Sequence, residues 1–135
     1  MWYQLYHSRD MTTNPLGLPL IDDVTGYAPR HEVTDPNKAD DLAKDMAARG
    51  WQGAPLVVHR DYVQALTGVH RLAAAEEAEI AVPGVDVEEL LAACDIDLWE
   101  RRDSDLADLD LDEVLETLLA ELPADVQTAY GIDLR

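Results

Sequence analysis

The stretch Tyr62-Val-Gln-Ala-Leu-Thr-Gly-Val-His-Arg-Leu-Ala-Ala-Ala-Glu-Glu-Ala78 decides the fold of this chain. Its pattern predicts a short strand, a turn at Gly68, and a helix that opens with His70 and Arg71. The first N–H groups of a helix lack intrahelical acceptors and lie at the positive end of its dipole, so they favour an anion. Gly68 lets the backbone approach a ligand closely, and two further donors stand beside it. The stretch therefore predicts a phosphate site.

Short strands are predicted on both sides of this unit. Residues 54–59 are mostly apolar and predict a strand, with residues 62–66 as its hairpin partner. Residues 81–87 contain Pro and Gly and predict an edge strand or a bulge. Near the start of the chain, residues 2–7 and 16–21 each predict a further short strand.

Helices are predicted from caps and from apolar spacing. Asp35 suits an N-cap and Pro36 the first helical position of a helix that ends at Gly50. Residues 70–79 form an Ala-rich helix, and Asp110 is a candidate cap for a strongly amphipathic helix. The later helical segments are residues 87–94, 95–102, 111–122 and 124–130. The order of elements predicts an α+β fold with a small mixed sheet.

The charge of the chain is concentrated in its last part. The 135 residues carry a formal net charge of −18. Residues 1–85 hold 12 acidic and 7 basic residues (net −5), and residues 86–135 hold 16 and 3 (net −13). We therefore predict a core over residues 1–86 and an acidic helical extension over residues 87–135, packed on the core. This charge repels nucleic acid, so direct DNA binding is not expected.

Several other classes of protein are disfavoured. There is no apolar run long enough to span a membrane, and the first residues lack the pattern of a secretory signal. Cys94 is the only cysteine, which excludes an internal disulfide framework and suits a cytoplasmic location. The imidazoles of His7, His31 and His59 show no metal-ligand spacing with one another or with Cys94.

Four blocks of sequence resemble the ParB/sulfiredoxin superfamily, over roughly residues 26–87. They are Ala28-Pro-Arg30, Thr34-Asp-Pro-Asn-Lys-Ala-Asp-Asp-Leu-Ala-Lys-Asp-Met46, Gly50-Trp-Gln-Gly-Ala-Pro-Leu-Val-Val58 and Leu66-Thr-Gly-Val-His-Arg-Leu-Ala-Ala-Ala75. The last is similar to Gly-Glu-Arg-Arg or Gly-Gln-His-Arg in ParB-like domains and to Gly-Cys-His-Arg in sulfiredoxins. The resemblance implies the mixed sheet and helices of that superfamily for the core.

The resemblance also implies a nucleotide site. In that superfamily the Gly-x-x-Arg turn holds nucleotide phosphates, those of CTP in ParB and of ATP in sulfiredoxin. By position, His70 and Arg71 would contact phosphate, and Thr67, Gly68 and Val69 would line the turn. Lys38 would reach in from the first helix. CTP or ATP with Mg²⁺ is therefore the implied ligand, although no cofactor is fixed.

Some positions depart from the family. Val69 occupies the place of the sulfiredoxin cysteine, so sulfinic-acid reduction is not expected. Asp41 and Asp45 stand on the face of Lys38, where sulfiredoxins have hydroxyl residues, and would need a cation such as Mg²⁺ or point to solvent. The basic helix-turn-helix that follows the core in ParB is replaced by the acidic extension.

Three functions remain open at this point. The first is a ParB-like domain that binds a nucleotide or phosphate and hydrolyses it or transfers a phosphoryl group, with Glu32 as a candidate general base. The second is a non-catalytic acidic interaction protein, of a DNA-mimic, regulatory or phage anti-defence type, that binds a basic surface. The third is a metal-dependent nuclease that uses Asp41 and Asp45. Whether the chain is an enzyme is left open.

Overall fold

Four short strands form the central sheet in the computed structural model, which describes residues 11–30 and 32–132. In space their order is β2 (Ala28–Pro29), β5 (Gln64–Ala65), β4 (Leu56–His59) and β6 (Gly84–Asp86). β4 pairs antiparallel with β5 and parallel with β6, and β2 pairs parallel with β5. A separate parallel pair joins β1 (Met11–Thr12) and β3 (Gln52–Gly53). The predicted hairpin and edge strand are confirmed.

Six helices occur in the described part of the chain: α1 (Pro36–Arg49), α2 (Val69–Ala78), α3 (Val87–Ala93), α4 (Leu98–Asp103), α5 (Leu111–Glu121) and α6 (Ala124–Ala129). Both predicted caps are present, because the Asp35 carboxylate accepts the Lys38 N–H at 3.1 Å and the Asp110 carboxylate accepts the Glu113 N–H at 2.9 Å. Within the described ranges, every helix is too short or too polar to cross a bilayer. The predicted α+β class is confirmed.

The sheet has an apolar core on each face. Along β4, Leu56 and Val58 belong to the core beneath α1 and α2, while Val57 belongs to the core beneath the C-terminal helices. This alternation is the two-residue period of a strand. The second core also contains the apolar side of α5, namely Val114, Leu115, Leu118 and Leu119. Residues after 86 therefore complete the packing of the sheet.

Three polar contacts of Asn14, Leu16 and Arg30 connect the segment before α1 to the C-terminal part of the chain. The Tyr130 hydroxyl donates to Asn14 Oδ1 at 2.6 Å and accepts the Leu16 N–H at 3.0 Å. The Arg30 guanidinium forms an ion pair with Glu116 at 2.9 Å. These contacts join segments from both ends of the described chain next to the second core.

The strand predicted over residues 16–21 is wrong. Only Ile21 forms a bridge, antiparallel to Gly84. Upstream, the Asn14 amide accepts the Leu18 N–H at 3.2 Å and donates to the Leu18 carbonyl at 2.8 Å. These side-chain bonds satisfy the backbone groups that a ladder would have used, so the segment turns instead. The strand predicted over residues 2–7 lies outside the described residues.

Candidate functional site

The turn between β5 and α2 requires glycine. Gly68 has a left-handed backbone with φ of +68°, and a Cβ at this position would overlap Leu56 Cδ2. The neighbouring Thr67 hydroxyl accepts the Val57 N–H at 3.0 Å. The turn is therefore fixed against β4 on one side by packing and on the other by a hydrogen bond.

The start of α2 presents backbone donors at this turn. The first helical bond runs from the Leu72 N–H to the Gly68 carbonyl at 2.8 Å. The N–H groups of residues 69–71 precede that bond and have no intrahelical acceptor. Together with the positive end of the helix dipole, they give the geometry in which an anion is bound at a helix start.

His70 connects this turn to the start of α1. Its Nε2 accepts the Asp35 N–H at 3.1 Å and lies 3.4 Å from the Thr34 hydroxyl. An imidazole nitrogen that accepts carries no proton, so Nδ1 holds the proton in this arrangement. The His70 ring can therefore offer one donor, at Nδ1, while its other nitrogen supports the α1 cap.

Arg71 is fixed by backbone atoms. Its Nη2 donates to the carbonyls of Gln52 at 2.9 Å and Ala54 at 2.8 Å, and its guanidinium lies 4.0 Å from the centroid of the Trp51 ring. Burial lowers the pKa of Arg71 to about 10, so the group remains charged at neutral pH. No carboxylate pairs with Arg71 among residues 11–30 and 32–132. Sequence reasoning predicted the cation but not its backbone partners, which come from β3 and the following loop.

The remaining predicted residues lie on the surface around α1. Lys38 and Asp41 are exposed on the first two turns of α1, and Glu32 is exposed in the preceding loop. Asp45 accepts two hydrogen bonds from Arg49, at 2.8 and 2.9 Å, which lower the pKa of its carboxyl group. In the described part of the chain, Asp41 and Asp45 do not join a third residue in a metal-binding group. The roles given to these four residues stay predictions.

A second cluster was missed by the sequence reasoning. His59 ends β4 and is fully buried, and its Nε2 lies 3.0 Å from Glu88 Oε2. The other oxygen of Glu88 accepts the Trp99 indole N–H at 2.6 Å. Asp61 offers a carboxylate nearby, and the ligand atoms of His59, Asp61 and Glu88 all lie within 4.8 Å of one another. The spacing of the histidines and Cys94 along the sequence does not indicate this cluster, because it depends on carboxylates and on strand pairing.

Comparison of this chain with protein-family models, with curated proteins and with solved structures finds no match in any of the three. The resemblance to the ParB/sulfiredoxin superfamily therefore rests on its four sequence blocks.

Proposed function

We propose that this chain is a ParB/sulfiredoxin-like domain that binds a nucleotide or another phosphate ligand at the turn formed by residues 67–71. The observation that carries the proposal is the environment of Arg71. It is a half-buried cation without a carboxylate partner in the described part of the chain, and it belongs to the first turn of α2, whose N–H groups lack intrahelical acceptors. Burying an unpaired charge costs free energy, and a bound anion would offset that cost.

Each group at the turn would have a separate task. The N–H groups of residues 69–71 would donate to the phosphate oxygens, and the His70 Nδ1–H and the Thr67 hydroxyl would be additional side-chain donors. Arg71 would contribute Nε and Nη1, because Nη2 already serves the Gln52 and Ala54 carbonyls. Lys38 has a long exposed side chain and would close over the ligand from α1.

The acidic surroundings favour a ligand whose charge is partly neutralised. CTP or ATP carried with Mg²⁺ meets this condition, because the ion offsets the repulsion from exposed carboxylates such as Asp41. Hydrolysis or phosphoryl transfer would be a further step, with Glu32 as the general base. The nucleotide-binding proposal does not depend on that step.

The test is calorimetric titration of the full chain with CTP, ATP, ADP and inorganic phosphate, each with and without Mg²⁺. We expect binding tighter than millimolar, and a loss of about tenfold or more for Arg71→Ala, because a charged donor is removed. Arg49→Ala is the matched control, since Arg49 is exposed and paired with Asp45 away from the turn.

A second pair of variants guards against loss of the fold. Lys38→Ala removes an exposed side chain and should weaken binding without changing the melting temperature, while Lys44→Ala on the same helix should not weaken it. Failure of every ligand to bind below millimolar concentration would refute the proposal. So would unchanged affinity in a folded Arg71→Ala variant.

A second candidate function rests on the outer surface of the C-terminal helices. Their apolar sides form the second core, so their carboxylates, apart from that of Glu88, face outward. Arg101 neutralises only Asp105 and Glu121 there. Exposed acids of this region without an ion-pair partner in the described residues include Glu89, Asp95, Asp97, Glu100, Asp103, Asp108, Asp112, Glu113 and Asp125. Such a surface suits a non-catalytic protein that covers the basic surface of a partner.

Truncation at residue 86 cannot test this second function, because it would remove most of the second core. A better variant neutralises Asp112, Glu113 and Asp125 to Asn or Gln, and its control neutralises Asp40 and Asp41 on α1. Pull-downs with the intact chain and both variants should show partners lost only from the first variant. An identical set of partners from all three would contradict the acidic-surface function.

A further inference from the structure

The cluster of His59, Asp61 and Glu88 lies where two parallel strands end. β4 and β6 are neighbours with Val58 opposite Asp86, so their carboxyl ends meet at one edge of the sheet. His59 is the last residue of β4, Asp61 lies in the 3₁₀ turn that follows it, and Glu88 lies in the first turn of α3 after β6. Ligands of open sheets bind at such an edge, and the backbone alone brings these three side chains together.

One ring nitrogen of His59 lacks a hydrogen-bond partner in the described part of the chain. The His59 side chain is 0% exposed, and its Nδ1 is the buried side-chain polar atom that lacks a hydrogen-bond partner within residues 11–30 and 32–132. Buried polar atoms in native proteins are nearly always paired, and an exception calls for a water or an ion that completes it. Because His59 presents Nε2 to Glu88, its Nδ1 does not face that carboxylate, and a buried water is the partner that Nδ1 calls for.

We infer that His59, Asp61 and Glu88 bind a divalent transition-metal ion. An imidazole with two carboxylates is a donor set for Zn²⁺ or Mn²⁺, whereas Mg²⁺ and Ca²⁺ prefer oxygen atoms alone. This site is distinct from the phosphate site and does not depend on it.

The distances suit an ion of this class. Metal–ligand bonds of about 2.0–2.2 Å in a tetrahedral site place ligand atoms about 3.3–3.6 Å apart. His59 Nε2 and Glu88 Oε2 are 3.0 Å apart, and the three ligand atoms lie within 4.8 Å. Asp61 is exposed and can move the remaining distance. His59 would bind through Nε2, with the ion replacing the proton shared with Glu88.

The surroundings hold Glu88 in place and leave access to it. The Trp99 indole N–H fixes one carboxylate oxygen at 2.6 Å, which is the outer-shell support that metal-binding carboxylates normally have. A cavity of about 420 Å³ is lined by Glu88, Trp99 and Asp95, among other residues. An ion at the cluster would therefore keep a coordination position for water or a small anion on the cavity side.

Titration of the full chain with Zn²⁺, Mn²⁺ and Mg²⁺ tests the inference, by calorimetry and by tryptophan fluorescence, to which Trp99 beside the cluster contributes. We expect one Zn²⁺ per chain with a Kd on the order of 10 μM or below, and weaker or no binding of Mg²⁺. Asp61→Asn should weaken Zn²⁺ binding about tenfold or more without unfolding the chain, since Asp61 is exposed. Glu88→Gln and His59→Gln should weaken it as well.

Asp95→Asn is the matched control, because Asp95 lines the same cavity but does not belong to the cluster. Zn²⁺ affinity should be unchanged in this variant. Equal loss in Asp95→Asn and Asp61→Asn would indicate general attraction to an acidic surface and overturn the inference. Unchanged Zn²⁺ binding in a folded Asp61→Asn or Glu88→Gln variant, or no Zn²⁺ binding by the intact chain, would also overturn it.

Discussion

Replacement of Gly68 by Ala should destabilise the chain through two separate costs. The left-handed φ of +68° costs an L-residue about 1–2 kcal/mol. Crowding of the new Cβ against Leu56 Cδ2 adds about 1–3 kcal/mol. Alanine also has less conformational freedom than glycine in the unfolded chain, and this stabilises the folded state by about 0.4–1 kcal/mol. The expected net loss in the free energy of unfolding is about 1–5 kcal/mol, with a central value of about 3 kcal/mol.

Alanine substitutions at three other glycines measure the cost of the left-handed backbone and the cost of crowding separately. Gly17 has φ of +63° and open space, so Gly17→Ala should lose only about 1 kcal/mol. Gly84 has ordinary φ, but a Cβ there would lie 2.6 Å from Val24 Cγ1, so its loss should be about 1–2 kcal/mol. Gly26 has neither constraint, and Gly26→Ala should be neutral or stabilise by up to about 1 kcal/mol.

Urea unfolding followed by tryptophan fluorescence measures all four variants, since Trp51 is only 1% exposed and should report loss of the first core. The order of stability should be Gly26→Ala, then Gly17→Ala, then Gly84→Ala, with Gly68→Ala lowest. If Gly68→Ala were no less stable than Gly17→Ala, the close approach of Leu56 to the turn would be refuted. If it were no less stable than Gly84→Ala, the left-handed turn itself would be in error.

Three further predictions concern other parts of the fold. Tyr130→Phe should lose about 1–2 kcal/mol in urea unfolding, because the Leu16 N–H is left without its acceptor; unchanged stability would argue against that bond. Arg101 lowers the pKa of Glu121, so this pair stabilises the chain above the ordinary glutamate pKa of about 4.3 and the effect is lost as the pH falls below it. Arg101→Gln should therefore reduce the drop in melting temperature between about pH 5 and pH 3, and an identical profile would contradict the pair. Val63 is half-exposed and has φ of +51°, so Val63→Gly should leave the melting temperature unchanged or raise it. The relief of about 1–2 kcal/mol of backbone strain matches or exceeds the entropy cost of glycine. A marked fall in the melting temperature would be contrary evidence.

The elements that could be predicted from sequence are those whose signals are local. The caps at Asp35 and Asp110 lie next to the backbone groups that they satisfy, so their residue types alone indicate helix starts. The apolar spacing of α5 likewise depends only on the helical period. The strand predicted over residues 16–21 does not form, because the Asn14 side chain bonds to the backbone of Leu18. An apolar pattern typical of a strand does not take account of such a side-chain bond.

The candidate sites were less predictable because their partners are remote in sequence. Gly68 and the helix start after it could be identified, since the turn is a local feature. The partners of Arg71 could not, because Gln52 and Ala54 reach it only after β3 and α2 are packed together. His59 and Glu88 are 29 residues apart and meet through the parallel pairing of β4 with β6, which no short-range pattern encodes.

The hydroxyl of Tyr130 has a consequence for the order of folding. It bonds to Asn14 and Leu16, which lie 116 and 114 residues earlier in the chain. Contacts of such sequence separation are slow to form, because a long loop must close before they contribute. During synthesis, the segment around Asn14 must wait for residue 130 to leave the ribosome before it gains this partner. We therefore expect the sheet and α2 to be ordered in the folding transition state, and the Tyr130 contacts to form after it, so that Tyr130→Phe speeds unfolding more than it slows folding.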